Sequence, residues 1–229
     1  GFMPGLSSPG GPSHQAIDDL ALMRALPNMT VVEPADAVEV RQAVAAIADR
    51  PGPVYMRLKR GETPIIFDEK HRLDLNRAQV LTGKDHSQVC IIAAGMMIPA
   101  ALAAAQVMES HGMSAAVLNV PVIKPLDGTT IVAAARHSRM AITAENHNVI
   151  GGLGSAVAEA LAEAGLAVPL RRIGIADVFG ESGSREFLFQ RYGLSTQNIL
   201  DVAWRGLGVG GPVPIAPVVE SVPGAYAPV

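Results

Sequence analysis

Apolar positions in this chain fall into two rhythms, a helical one and short continuous runs, separated by Gly/Pro-rich breaks. After Gly10-Gly11-Pro12, Ser13 is a good N-cap, and Asp18 and Asp19 suit a first helical turn. Ile17, Leu20, Met23 and Leu26 make an apolar stripe at helical spacing, so a helix is predicted from Ser13 to the break at Pro27-Asn28. Thr30-Val31-Val32 is a short buried-strand signal. Asp36 opens a second helix over 36–48, ended by Pro51-Gly52-Pro53. Residues 54–58 read as a strand, and 61–78 as polar and irregular. Beyond them come a short edge strand at 78–81, a buried strand at 89–94, a helix at 99–110 and a strand at 115–118. A turn at 121–127 leads to a helix at 129–136. A strand at 140–143, a Gly-rich turn and helix at 151–164, and a strand at 170–175 follow. Alternation of this kind predicts an α/β fold with a mostly parallel sheet covered on both faces, a three-layer α/β/α arrangement.

The chain has 229 residues, 49% hydrophobic and 17% charged, enough for one large or two ordinary domains with real cores. The net charge of −3 gives no broad electrostatic footprint for nucleic acid. The one cysteine, Cys90, sits in an apolar run and reads as a buried, inert thiol, in keeping with a reducing cytoplasm. No apolar run is long enough to span a bilayer, and residues 1–5 do not resemble a signal core. A Gly/Pro/Ser-rich beginning this close to a candidate loop suggests a truncated start. The Gly/Pro/Val-rich residues 208–229 read as an irregular or flexible tail.

Two positions carry candidate chemistry. The predicted helix puts His14 at its mouth, where the dipole favours the neutral imidazole, able to donate one hydrogen bond and accept another. Spacing alone favours a capping or packing histidine. On the strand at 54–58, alternation sets Arg57 and Lys59 on one face and Arg60 on the other. An arginine at a strand end can fork onto a phosphate, and three neighbouring cations fit a solvated edge equally well. The turn Gly151-Gly152-Leu153-Gly154 lacks the third glycine of a dinucleotide fingerprint, and Glu145 and His147 precede it. His86, His111, His137 and His147 form no metal-ligand pair with a carboxylate.

Gly11-Pro12-Ser13-His14-Gln15, then Asp19-Leu20-Ala21-Leu22-Met23-Arg24, Leu26-Pro27-Asn28-Met29 and Pro34-Ala35-Asp36, resembles the transketolase-family pattern G-P-T-H-Q, E-D-L-A-L-M-R, P-N-M, P-A-D of the pyrimidine-binding domain. Glu145 to Ser155, Phe179-Gly180-Glu181-Ser182-Gly183 and Tyr192-Gly193-Leu194 resemble that family's C-terminal domain. The resemblance covers about residues 5–207. It implies part of a pyrimidine-binding domain over 1–72, a C-terminal domain over 73–207, and a tail over 208–229 with no family counterpart. It also implies ketol transfer between sugar phosphates in pentose-phosphate metabolism, using thiamine diphosphate and Mg²⁺. His14 would act on reacting oxygens and Arg60 would hold the substrate phosphate. No Gly-Asp-Gly diphosphate motif occurs, and the glutamate that pairs with the cofactor's aminopyrimidine lies upstream in the family. The chain is therefore expected to be incomplete alone, needing an N-terminal thiamine-diphosphate-binding domain or subunit, with self-association as a homo- or hetero-oligomer. Gly10 stands where the family often has an acidic residue that binds a substrate hydroxyl. Deoxyxylulose-phosphate synthase, a 2-oxoacid dehydrogenase β subunit and a non-catalytic assembly lobe are the alternatives.

Overall fold

In the computed structural model, which describes residues 3–59, 63–83 and 86–217, the chain is organised around β4 (Val89–Ala93), buried at every position. On one side it pairs in parallel with β5 (Ala115–Asn119), and on the other with β7 (Met140–Asn148). β8 (Leu170–Ile175) extends the sheet in parallel beyond β7, and β3 (Gln79–Thr82) closes the other edge antiparallel to β5. The strand order is β3-β5-β4-β7-β8. Short continuous apolar runs such as Val89-Cys90-Ile91-Ile92 suit strands covered on both faces.

Alternate residues of these strands serve two cores. Val89, Ile91, Ala115, Val117, Met140 and Ile142 face α3 (Ile98–Ser110), α6 (Arg185–Arg191) and α7 (Thr196–Leu207). Cys90, Ile92, Ala116, Leu118 and Ala141 face α4 (Gly128–Ala135) and α5 (Leu153–Glu163). This is the three-layer α/β/α arrangement the pattern predicts. The pattern missed α6 and α7, although Ser184 and Ser195 cap them with side-chain bonds to Phe187 N and Asn198 N.

A second sheet has the order β2-β1-β6. β1 (Thr30–Val32) is parallel to β2 (Val54–Met56) and antiparallel to β6 (Val122–Lys124). The segment expected to be only a turn at 121–127 thus supplies a strand to the sheet of the first part. α2 (Ala37–Ala48) packs here, with Asp36 accepting from Glu39 N at 3.0 Å as its N-cap. The other Asp36 oxygen holds Ile66 N and Phe67 N, both at 2.8 Å, and so ties the irregular stretch after β2 to this helix.

The helix expected to run from Ser13 does not form as one piece. Pro12–His14 is a single 3-10 turn, and α1 (Asp19–Ala25) begins only later. The reason lies in the backbone between them. Ala16 N donates to Met3 O at 2.8 Å and Ala16 O accepts from Gly5 N at 2.7 Å, a parallel bridge that holds residue 16 extended. The described part of the tail is irregular but held in place. Gly208 ends α7 in the left-handed region (φ 65°), and Gln197 pins the following residues through Pro214 O and Ala216 N. Residues 218–229 lie outside the described ones. No helix among the described residues is long and apolar enough to cross a membrane.

Candidate functional site

His14 stands at the end of the 3-10 turn, exposed to solvent, while its neighbour Gln15 is buried. The turn is closed by His14 N donating to Gly11 O at 2.9 Å. Gly11 takes φ 78°, a conformation glycine adopts without strain. The His14 imidazole has Ser13 Oγ at 2.9 Å from Nδ1. His14 does not sit at the N-terminus of α1, so the dipole argument made for it does not apply. Its exposure also rules out the packing role that spacing favoured. A Cβ at Gly10 would lie 3.4 Å from His14 Cγ, so the position that carries an acid in the resembling pattern adjoins the imidazole. Arg60 lies outside the described residues.

Behind the loop lies a buried ionic cluster that sequence reasoning missed. Arg57 is 2% exposed, so it does not belong to a solvated edge. Its Nε and Nη2 donate to the two Asp19 carboxylate oxygens, both at 2.7 Å, and Nη1 donates to Glu33 Oε1 at 2.9 Å. Both Nη groups reach Asn146 O at 3.2 Å. Burial raises the Asp19 carboxyl, but Arg57 and the Tyr55 hydroxyl, which donates at 2.7 Å, outweigh it and hold the group below its ordinary range. Lys59 extends the cluster inward, donating to Pro34 O, and burial pulls its ammonium down to about 8. The available signal was the Arg57/Lys59 alternation, which marks one face as cationic. It did not reveal that Asp19 and Glu33 meet that face.

The Gly-rich turn before α5 is filled from within. Glu145, fully buried in β7, accepts from Leu153 N at 2.6 Å and Gly154 N at 2.8 Å. A Cβ at Gly152 would lie 1.9 Å from Glu145 Oε2. The anion at this helix N-terminus is therefore the protein's own carboxylate. Burial pushes the Glu145 carboxyl up to about 7 despite those two amides. His147 is a fully buried β7 residue with Nδ1 2.6 Å from Asn148 O. Burial first, and then Arg57, lower its proton affinity.

The groups around His14 do not by themselves make a magnesium–diphosphate cradle. Among the described residues no three His, Cys, Asp or Glu side chains come together to hold a metal ion. Two carboxylates of neighbouring segments are also engaged. Asp19 is held by Arg57 and Tyr55, and Glu181 Oε1 by Arg191 Nε at 3.2 Å and the Tyr192 hydroxyl at 3.3 Å. What the arrangement offers is one imidazole, displayed on a tightly anchored loop, able to orient or protonate an oxygen presented from outside.

Comparison with known proteins shows what the chain is similar to. Residues 6–65 match the pyrimidine-binding domain of transketolase, and residues 78–199 match the transketolase C-terminal domain. A transketolase family protein of Sinorhizobium fredii is 46% identical over 86% of this chain and 58% of its own length. A 6-deoxy-6-sulfo-D-fructose transketolase subunit of a Clostridium species is 40% identical over 89% of this chain and 62% of its own. This chain thus spans roughly three-fifths of the length of such relatives. Among solved structures, a split-gene transketolase described as an inactive β4 tetramer superposes with a TM-score of 0.81. It is 42% identical, and the match covers 91% of this chain and 66% of that one.

Proposed function

Because the chain belongs to the transketolase family, we propose that it supplies the C-terminal portion of a transketolase-type transferase that moves a ketol unit between sugar phosphates. Family membership implies dependence on thiamine diphosphate, which supplies carbanion stabilisation when bound. Among the described residues no group of side chains is placed to hold a metal ion, and in this reading the metal–diphosphate cradle, with its Mg²⁺, belongs to an N-terminal domain or partner subunit. The division at residues 72/73 is supported by family matches that leave 66–77 between them.

The observation that carries the proposal is the exposure of His14 at the tip of a loop whose flanking residues are buried. In this reading His14 orients or protonates the reacting oxygens, and Arg60 holds the substrate's anionic group. The surroundings favour a surface that a partner completes. Leu22, Ile150, Val178 and Phe179 are exposed on α1 and on nearby turns, Phe179 at 83%. Self-association, a homo- or hetero-oligomer and a cytoplasmic place in pentose-phosphate metabolism complete the proposal.

The test is reconstitution with the N-terminal partner and a ketose-phosphate donor. His14→Ala is expected to lower kcat, and Arg60→Ala to raise KM for phosphorylated substrates selectively. Unchanged kinetics in His14→Ala would refute the role of His14. A second reading, deoxyxylulose-phosphate synthase, is favoured by relatives of that name, one from a Synechococcus species being 38% identical over 86% of this chain. Pyruvate-dependent decarboxylation by the reconstituted enzyme would select it.

A further inference from the structure

We propose that Gln15 is the positioning residue of the His14 loop, clasping it to the turn at residues 180–182 so that the C-terminal part sets where the imidazole stands. The inference rests on His14 being the acting group in the transferase reading above.

Among the described residues, the imidazole's own hydrogen bond goes only to the adjacent Ser13. Its place is therefore set by the backbone on either side. Gln15 is 5% exposed, and its Nε2 donates to two carbonyls, Ser8 O at 2.9 Å and Glu181 O at 3.0 Å. The first bond closes the loop on its own beginning, and the second crosses to a turn 166 residues away. Both partners are acceptors, so only a nitrogen bearing two hydrogens satisfies them from this position. A glutamate of the same shape would set a carboxylate against two carbonyl oxygens.

The receiving turn is shaped for this contact. A Cβ at Gly180 would lie 2.0 Å from Gln15 Oε1 and 2.9 Å from Leu6 Cδ2. A Cβ at Gly11, on the opposing side of the contact, would lie 2.7 Å from Ser182 Oγ. Two glycines far apart in sequence thus leave room for the side chains of the facing loop. The turn is held in its own part of the molecule. Glu181 Oε1 accepts from Arg191 and Tyr192, and the Tyr192 hydroxyl also lies 3.3 Å from Phe179 O. On the other side of His14, Leu6 N donates to Asn146 Oδ1 at 2.9 Å, which ties the start of the loop to β7.

Two variants test the clasp. Gln15→Met keeps the length and apolar stem but removes both donors. Gly180→Ala leaves the His14 loop's sequence untouched and blocks the approach from the far side. The first measurement uses the purified chain, with amide hydrogen exchange along 8–16 and the His14 ring signals in ¹³C-histidine-labelled protein, assigned by their loss in His14→Ala. Loss of two hydrogen bonds is expected to raise exchange across 8–16 by about tenfold while β4 and β7 keep their protection. The His14 ring signals are expected to shift. In the reconstituted enzyme kcat is expected to fall about tenfold or more with KM for the phosphorylated acceptor little changed, because misplacement of an acting group lowers turnover. Native exchange and unmoved His14 signals in both variants would overturn the clasp. If His14→Ala abolishes turnover and both variants keep full kcat, the clasp fails and the transferase reading stands. If His14→Ala keeps full turnover, that reading fails, and the exchange and ring signals still decide whether the clasp exists. Should Gln15→Met not fold, Gly180→Ala answers both questions alone.

Discussion

Replacing Arg57 by Met removes the cation at the centre of the buried cluster while keeping most of the side-chain volume. Asp19 then retains the Tyr55 hydroxyl, and Glu33 loses the guanidinium on Oε1. Neither carboxylate can escape to water, since Asp19 is 7% exposed and Glu33 is fully buried. Breaking a buried pair from one side leaves uncompensated charge and costs about 3–5 kcal/mol. Against a typical stability of about 5–15 kcal/mol, that is a large fraction of the whole. Urea unfolding at pH 7 should show the midpoint lowered by roughly 1 M or more. The pH dependence gives an internal check. Arg57 holds the Asp19 carboxyl below its ordinary range in the folded chain, so this contribution is present above the unfolded value and is lost as pH falls through the folded one. The gap between wild type and Arg57→Met should therefore be widest near neutrality and narrow below about pH 4. Replacing Asp19 by Asn and Glu33 by Gln in the same variant should recover much of the loss, because the buried charges go with their partner. A loss under about 1 kcal/mol for Arg57→Met alone, the scale of a surface pair, would refute the buried arrangement.

The Glu145 carboxyl is raised to about 7 in the fold, so its contribution is fully present below the unfolded value near 4.5 and is lost as pH rises through 7. Wild-type stability relative to Glu145→Gln should drop by about 3 kcal/mol from pH 4.5 to above 7, and a flat difference in urea titrations would contradict the burial argument. Cys90 is fully buried and its thiol is pushed up to about 12, so it should resist an aromatic disulfide reagent in the native chain and react only on unfolding; prompt labelling would place it elsewhere. His14→Ala should leave the unfolding midpoint nearly unchanged, within roughly 0.5 kcal/mol, because the imidazole is exposed and bonds only to Ser13; a larger loss would make it a structural group.

Strands such as Val89-Cys90-Ile91-Ile92 were legible because a continuous apolar run has only a buried place to go, and the interleaved helices then dictate a parallel sheet. The family could be read too, because its motifs are local strings. What could not be read depends on contacts between distant segments. Nothing in Pro12-Ser13-His14 announces that Ala16 will pair with Met3 and Gly5, yet that pairing stops the helix and exposes the histidine. Alternation grouped Arg57 with Lys59 correctly, but burial or exposure of that face depended on carboxylates at 19 and 33. Helix α7 was readable in principle, from Ser195 followed by Ile199, Leu200, Ala203 and Trp204 at helical spacing.

The two buried charge sites differ in what they are for. Glu145 accepts from the amides at the start of α5 and ties that helix to β7. Arg57 joins three segments: Asp19 from α1, Glu33 just after β1, and the backbone of Asn146 in β7. It therefore spans from the small sheet to the large one, and Asn146 in turn fixes Leu6 at the start of the His14 loop. An apolar contact could hold the two sheets together as strongly, but it would tolerate sliding, whereas a guanidinium with its fork on one carboxylate does not. In the transferase reading proposed above, a loop that presents one imidazole to a group carried by another polypeptide gains from that restriction. Its reference frame has to be the whole chain, and the Arg57 cluster behind it and Gln15 at its side attach it to both sheets.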